Sequence, residues 1–335
     1  MYLAIDLKMT SIKITSTGSF LPGKIVTDSV FDERFNLKEG TTFKKSGVRI
    51  RHYVENESQV DLALAALSNI PEESRRDIDL IVFAGGSSQQ PIPCTASLIQ
   101  KALGHEYNSI PCFDICSTCL SFVTALDTLS YMIDAGRYRK VLLVSSDIAS
   151  KGINTRDFNS SILFGDAAAA AILEKTPENE TSGILTYNFK TFGEGADCAR
   201  VRGGSTFMPF YMWNEDNIDD YLFHMDGLKL YEISSKYIVK MFNDALTDTG
   251  LTMDDIRLVI PHQASLPALK LIQKKLRIPE GKMLINIENQ GNTIASSIPL
   301  CLDYAARNKL IERGDRIVLL GTSAGLSIGV MVLEY

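Results

Sequence analysis

The chain has 335 residues, 45% of them apolar and 22% charged, which supports a sizeable core and excludes a largely disordered protein. Its formal net charge is −6 with lysines and arginines dispersed, which excludes the basic stripe that nucleic-acid binding needs. The opening MYLAIDLKMTSIKI contains Asp6 and no long apolar run, and nothing approaches the ~18–20 apolar residues of a membrane span, so a cytoplasmic protein is expected.

Short apolar runs rich in β-formers alternate with amphipathic stretches of helical length, the pattern of a layered α/β fold. In chain order, strands are expected at 80–84, 141–145, 168–173, 258–261, 317–321 and 328–333. Helices are expected at 119–135, stopped by Gly136, and at 226–249 and 265–276. The features also pair at a displacement of about 177 residues: DIDLIVF with DIRLVIP, KVLLVSSD with RIVLLGTS, and the helix at Cys119 with the one containing Ser296. Three matches in one order indicate duplicated halves, 1–176 and 177–335, meeting at the polar stretch TPENETSG.

In a reducing compartment the six cysteines (Cys94, Cys112, Cys116, Cys119, Cys198 and Cys301) read as buried residues, metal ligands or nucleophiles. The segment CFDICSTCLSF holds three of them. A structural zinc site would need a second CxxC or a HxxxH, which the chain lacks, so no metal is expected. Cys116 and Cys119 form a CxxC without a thioredoxin-like context. Cys119 instead stands where a helix begins, and a helix N-terminus favours the thiolate that attacks. Cys112 and Cys116 read as small buried neighbours, and a structural reading of Cys119 stays open.

Of four histidines, His52, His105 and His224 read as surface or packing residues. His262 follows the buried run RLVIP, at a strand's carboxyl end, where α/β proteins place their sites. Asn292 follows Gly291 in ENQGNT and has two readings, an amide aimed into the same crevice or a helix cap. The closing GTSAG matches a hydrolase nucleophile elbow, but the ten residues after Gly325 hold no Asp or His to complete that triad. A turn with backbone N–H groups facing the site, an oxyanion hole, is the better reading.

Taken in order, GVRIRHYV, FDICSTCLSFVTALD, DFNSSILFGDAAAAAIL, VIPHQASL, ENQGNTIASSIPLCLD and GTSAGLSIG resemble the β-ketoacyl-acyl-carrier-protein synthase III group of thiolase-fold enzymes. The resemblance covers nearly the whole chain. It implies a five-layered αβαβα thiolase fold of duplicated halves, a homodimer, no cofactor, and Cys119, His262 and Asn292 acting together. Backbone N–H groups of Cys119 and Ala324 would form the oxyanion hole. Ile92, Phe158 and Gly325 would border the substrate pocket, with Ile92 reaching the partner subunit. The substrates implied are an acyl thioester on an acyl-carrier protein or CoA and a malonyl- or β-ketoacyl-type thioester. Acyl transfer to an alcohol or amine, or a non-catalytic partner subunit, are the competing functions.

Departures from the family pattern fall on the carrier face. A tryptophan and an arginine that clamp the CoA adenine read here as Thr41 and Lys45, and a stacking arginine as Phe158. An arginine toward the carrier protein reads as Pro267, and a lysine as Glu232. Lysine keeps the charge but loses the planar stacking surface of arginine. Lys45, Arg156, Lys274 and Lys275 are the candidate substitutes, and a donor other than acetyl-CoA is expected.

Overall fold

The structure, a computed structural model, describes residues 10–335, so Asp6 and the opening segment lie outside it. The first half contains β1 (Lys13–Phe20), the antiparallel pair β2 (Lys24–Thr27) and β3 (Ile50–Tyr53), β4 (Leu80–Phe83), β5 (Cys112–Asp114), β6 (Lys140–Asp147) and β7 (Ala167–Glu174). Its helices are α1 (Asp28–Arg34), α2 (Thr41–Ser46), α3 (Gln59–Ser68), α4 (Thr95–Leu103), α5 (Ser121–Asp134) and α6 (Phe158–Ser161). Then come β8 (Gly183–Thr191), the short pair β9 (Ala199–Arg200) and β10 (His224–Met225), β11 (Leu258–Pro261), β12 (Arg316–Ser323) and β13 (Ser327–Glu334). They are accompanied by α7 (Gly227–Thr249), α8 (Leu266–Leu276) and α9 (Ser297–Arg307).

One sheet runs β1-β7-β6-β4-β5 and the other β8-β13-β12-β11. In each, the pair β4–β6 or β11–β12 is parallel and every other step among the four matched strands is antiparallel. Even β5 has a counterpart, because Met283 bridges Val259 in parallel just as Cys112 bridges Ile81. The two sheets thus repeat one topology.

Period-two alternation decides what each sheet face covers. Leu80, Val82, Val141 and Leu143 turn to one side and meet α5 and α9 together with Leu258, Ile260, Ile317 and Leu319 of the other sheet. Ile81, Phe83, Leu142 and Val144 turn the other way, onto α3 and α4. Val259, Val318, Leu320 and Val330 likewise meet α7 and α8. Five layers result: helices, sheet, the central helices α5 and α9, sheet, helices. The alanine-rich β7 has small side chains on both faces, which lets helices approach closely from either side.

The six expected strands are all present; four are longer by two or three residues, β11 has the expected bounds and β4 is one residue shorter. Sequence periodicity missed β1 and β8. Both lie at a sheet edge, β8 with a single bridge from Thr10 to Ile184 on its outer side, and their half-exposed Thr, Ser and Asn residues hide the alternation. The helix expected from Cys119 starts later, at Ser121, because residues 118–120 form a tighter 3₁₀ turn with Thr118 at φ +48°. Gly136, at φ +72°, ends that helix as expected.

The central layer predicts its own sensitivity. Phe122 is fully buried on α5 between the two sheets. Phe122→Ala should lower unfolding free energy by about 3–5 kcal/mol in urea titration, as other large-to-small core changes do. A loss below ~1 kcal/mol would mean that the central layer is not packed as described.

Candidate active site

Because both halves share a topology, the carboxyl ends of their parallel strands converge with the amino ends of the two central helices. The turn at 118–120 leads into α5, and its counterpart at 294–296 leads into α9, with Ile294 at φ +53° matching Thr118. Gly86, in the loop after β4, separates them: a Cβ there would stand 2.3 Å from Ile294 Cγ2 and 3.5 Å from the Thr118 carbonyl carbon.

Cys119 occupies the first of these turns. The backbone N–H groups of Ala324 and of Cys119 itself face its sulfur and favour the thiolate. Ala324 and Gly325, the latter at φ +83°, make the turn between β12 and β13. The Thr118 hydroxyl donates to the Ala324 carbonyl at 3.4 Å and ties that turn to the cysteine.

The expected thiolate is not what the structure favours. Burial pushes the Cys119 thiol up to about 12, the charge of Asp147 pushes it the same way, and the two N–H groups offset this only in part. Cys119 also precedes the first residue of α5, so it gains less from the helix N-terminus than the sequence suggested. Its resting form is the thiol.

His262 follows β11 directly, its N–H bonded to Leu320 of β12 at 2.7 Å. A Cβ on Gly321 would stand 2.9 Å from His262 Cβ and 2.9 Å from Leu120 Cδ2, so the histidine and cysteine turns meet across this glycine. Burial lowers the imidazole to about 4, and His262 is therefore neutral at pH 7. Its Nδ1 lies 2.7 Å from the hydroxyl of the fully buried Ser297, the first residue of α9. A hydroxyl can either donate to Nδ1 or accept from it, so both neutral tautomers have a partner.

Asn292 sits in the turn before α9 rather than capping that helix. Gly291, at φ +71° with the Leu163 carbonyl 2.7 Å from where a Cβ would be, permits the tight turn. The backbone of Asn292 then bonds Leu163 O (2.8 Å) and Gly165 N (3.0 Å). Its Oδ1 caps the turn by accepting from Ile294 N–H at 3.0 Å, while Nδ2 faces the Ala264 carbonyl at 3.5 Å beside His262. A cavity of about 180 Å³ opens against both residues, walled by Leu163, Met225, Tyr231, Ala264, Leu269 and Leu320.

The remaining sequence candidates lie farther out. Ile92 is 84% exposed at the tip of the loop before α4 and does not line that cavity. Neither do Phe158 and Gly325. Phe158 packs edge-on against Phe35, 5.0 Å between ring centres, with Lys45 Nζ 5.1 Å from its ring. Arg156 is ion-paired with Asp219. Lys274 and Lys275 end α8, and Lys275 Nζ lies 5.1 Å from the ring of Tyr231 in the cavity wall. Cys112 is half-buried on β5, but Cys116 is exposed rather than buried, because the chain leaves the sheet after Asp114. Sequence reasoning missed Ser297 and Asp147; neither belongs to a local pattern beyond standing at an element's end.

Fold and site together define a thiolase-fold condensing enzyme. Residues 113–193 match the profile of 3-oxoacyl-[acyl-carrier-protein (ACP)] synthase III, and residues 246–335 match that of its C-terminal region. The chain is 31% identical over 330 residues to the β-ketoacyl-[acyl-carrier-protein] synthase III of Clostridium acetobutylicum, covering 98% of this chain and 99% of the relative. It is 31% identical to the protein of that name from Vesicomyosocius okutanii, covering 96% and 98%. The crystal structure of 3-oxoacyl-[acyl-carrier-protein] synthase III from Aquifex aeolicus superposes with a TM-score of 0.85 at 27% identity, covering 97% and 100%. The chain belongs to the 3-oxoacyl-[acyl-carrier-protein] synthase III family. No helix among the described residues is long and apolar enough to cross a membrane.

The buried imidazole has a measurable signature. The His262 ring should stay neutral between pH 5.5 and 8 by NMR, with its midpoint near 4. Since its folded value is lowered, its contribution to stability is complete above pH 6.5 and is lost as pH falls toward 4, on the order of 3 kcal/mol at most. A midpoint near 6.5 would refute the burial.

Proposed function

We propose that this protein is an acyltransferase that performs a decarboxylative condensation of an acyl thioester with a malonyl- or β-ketoacyl-type thioester, in fatty-acid or specialised lipid or polyketide synthesis. The observation that carries the reading is the arrangement of the Cys119 sulfur, with N–H groups of Cys119 and Ala324 upon it, at the same sheet ends as His262 and Asn292. Residues 1–176 would supply the nucleophile and 177–335 the histidine and the asparagine.

The acyl carbonyl enters the two N–H groups and Cys119 attacks it. Because the thiol is the resting form, its proton leaves as the bond forms, passing to His262 Nε2 and on to the departing carrier thiol. This step needs Nδ1–H directed at Ser297 Oγ. The second thioester then places its carbonyl oxygen against His262 Nε2–H and Asn292 Nδ2–H. Here Ser297 donates to Nδ1 instead. Loss of CO₂ leaves an enolate held by these two donors, and its carbon attacks the acyl group on Cys119. The tetrahedral oxyanion collapses, releasing the β-ketoacyl product and the Cys119 thiolate, which takes up one proton from solvent to restore the thiol.

The carrier face supports a donor borne on an acyl-carrier protein. Phe158 is already covered by Phe35 and Lys45, so a flat nucleotide base has no open ring to stack on there. Lys45, Lys274 and Lys275 are the cations we assign to the carrier, and the Arg156 pair with Asp219 leaves it a lesser part. The protein would act in the cytoplasm as a homodimer, with the exposed Ile92 entering the partner's pocket.

Intact mass after incubation with acyl thioesters tests the nucleophile: wild type should gain one acyl group and Cys119→Ala none. An adduct on the alanine variant would sink the assignment. Carrier-borne donors should exceed acetyl-CoA in kcat/KM by at least about tenfold, and each turnover with a malonyl donor should release one CO₂. Ser297→Ala should lower kcat about 5–10-fold, the worth of roughly one hydrogen bond to a buried group, with KM little changed.

A further inference from the structure

Asp147, the last residue of β6, is a fully buried carboxylate for which the reaction above has no use. One oxygen, Oδ1, accepts hydrogen bonds from Gly86 N–H at 2.8 Å, Ser87 N–H at 3.2 Å and the Ser87 hydroxyl at 3.4 Å. The other, Oδ2, accepts from both the N–H and the hydroxyl of Ser296, each at 3.1 Å. Every donor is uncharged. A buried carboxylate without a cation is expensive, and proteins keep such groups chiefly where they serve a site.

Its position says what it serves. Gly86 is the residue wedged between the turn carrying Cys119 and the turn that follows Asn292. Ser296 ends that second turn, and the next residue, Ser297, holds His262. One carboxylate therefore pins the wedge and the entry to α9 across the junction of the two halves. We infer that Asp147 is a positioning residue that holds the Cys119 and Asn292–Ser297 turns in register and sets a buried negative charge against the Cys119 turn.

The electrostatic part has few competitors. The loop 85–87 and the turn 294–297 present no titratable side chain, and β7 faces Ser296 with the carbonyl of Ala167. Cys119 is the titratable group of the 118–120 turn, with Cys116 just outside it. Burial raises Asp147 to about 6 against the pull of its N–H and hydroxyl donors, so at pH 7–8 it carries its charge. That charge opposes a thiolate at Cys119. Unacylated enzyme is thereby kept poorly reactive toward electrophiles other than a bound thioester.

The register claim rests on reading Cys119 as the acyl-bearing nucleophile, whereas alkylation of Cys119 can be measured whatever the reaction. The test uses the full chain with Cys116→Ser as background, iodoacetamide as probe, and peptide mass to follow Cys119. Asp147→Asn should speed alkylation at pH 8 severalfold by removing the charge that opposes a thiolate, and lower kcat at least tenfold with KM within about threefold. Ser296→Ala keeps the charge, so its alkylation should stay within about twofold of the background while kcat falls severalfold. A folded Asp147→Asn protein with unchanged alkylation and kcat within twofold would overturn the proposal. If that variant does not fold, an unchanged kcat in Ser296→Ala overturns it, and a severalfold loss at unchanged alkylation supports it. Absence of any acyl adduct on the wild type would instead discredit the nucleophile reading and leave the alkylation result standing.

Discussion

A helix enclosed between two β-sheets has no water to complete the hydrogen bonding of its first turn, and this chain encloses two such helices. The segments leading into α5 and α9 are tied down by protein groups, and these lie at the site. Ser121 donates to Gly85 O at the start of α5 and accepts from Ser117 N–H. Asn292 caps the turn before α9, and Ser296 is held by Asp147. Burial of the central layer and construction of the site are thus one structural problem.

Duplication solves it twice. Each half delivers a parallel strand pair, a tight turn with one residue at positive φ, and a central helix. The copies then diverge in what the turn presents: a cysteine at 119 in one, and alanine at the matching position 295 in the other. His262, Asn292 and the Ala324 turn all come from the second copy, so neither half contains the whole arrangement. This division explains why a buried acid at the junction, rather than within either half, holds the turns together.

The electrostatic character is that of a neutral resting site. His262 is held uncharged by burial and Cys119 is held protonated. A site built this way has no standing ion pair, and Asp147 behind it is the one fixed charge, so any charge on the reacting groups develops with the substrate. Backbone N–H groups and the Asn292 amide are suited to receive that charge without reorganising. The apolar cavity beside His262 and Asn292 keeps water sparse there and strengthens those hydrogen bonds.

Much of the layered fold was legible in the chain itself, because the short apolar runs of the central strands, the α5 stripe and the repeat near 177 residues are local features. Cys119 at a helix start, His262 after a buried run and Asn292 after a turn glycine were local candidates, and only the family resemblance joined them into one set. The edge strands β1 and β8 escaped because an edge position leaves them half polar. What the tertiary structure alone decided concerns residues whose partners are remote in sequence. Ser297 reaches His262 across 35 positions, and Asp147 reaches Gly86 across 61 and Ser296 across 149. The protonation of Cys119 was decided there too, since spacing reveals the helix end that favours a thiolate, whereas the enclosure and the neighbouring charge that oppose it exist only once the two halves have closed on each other.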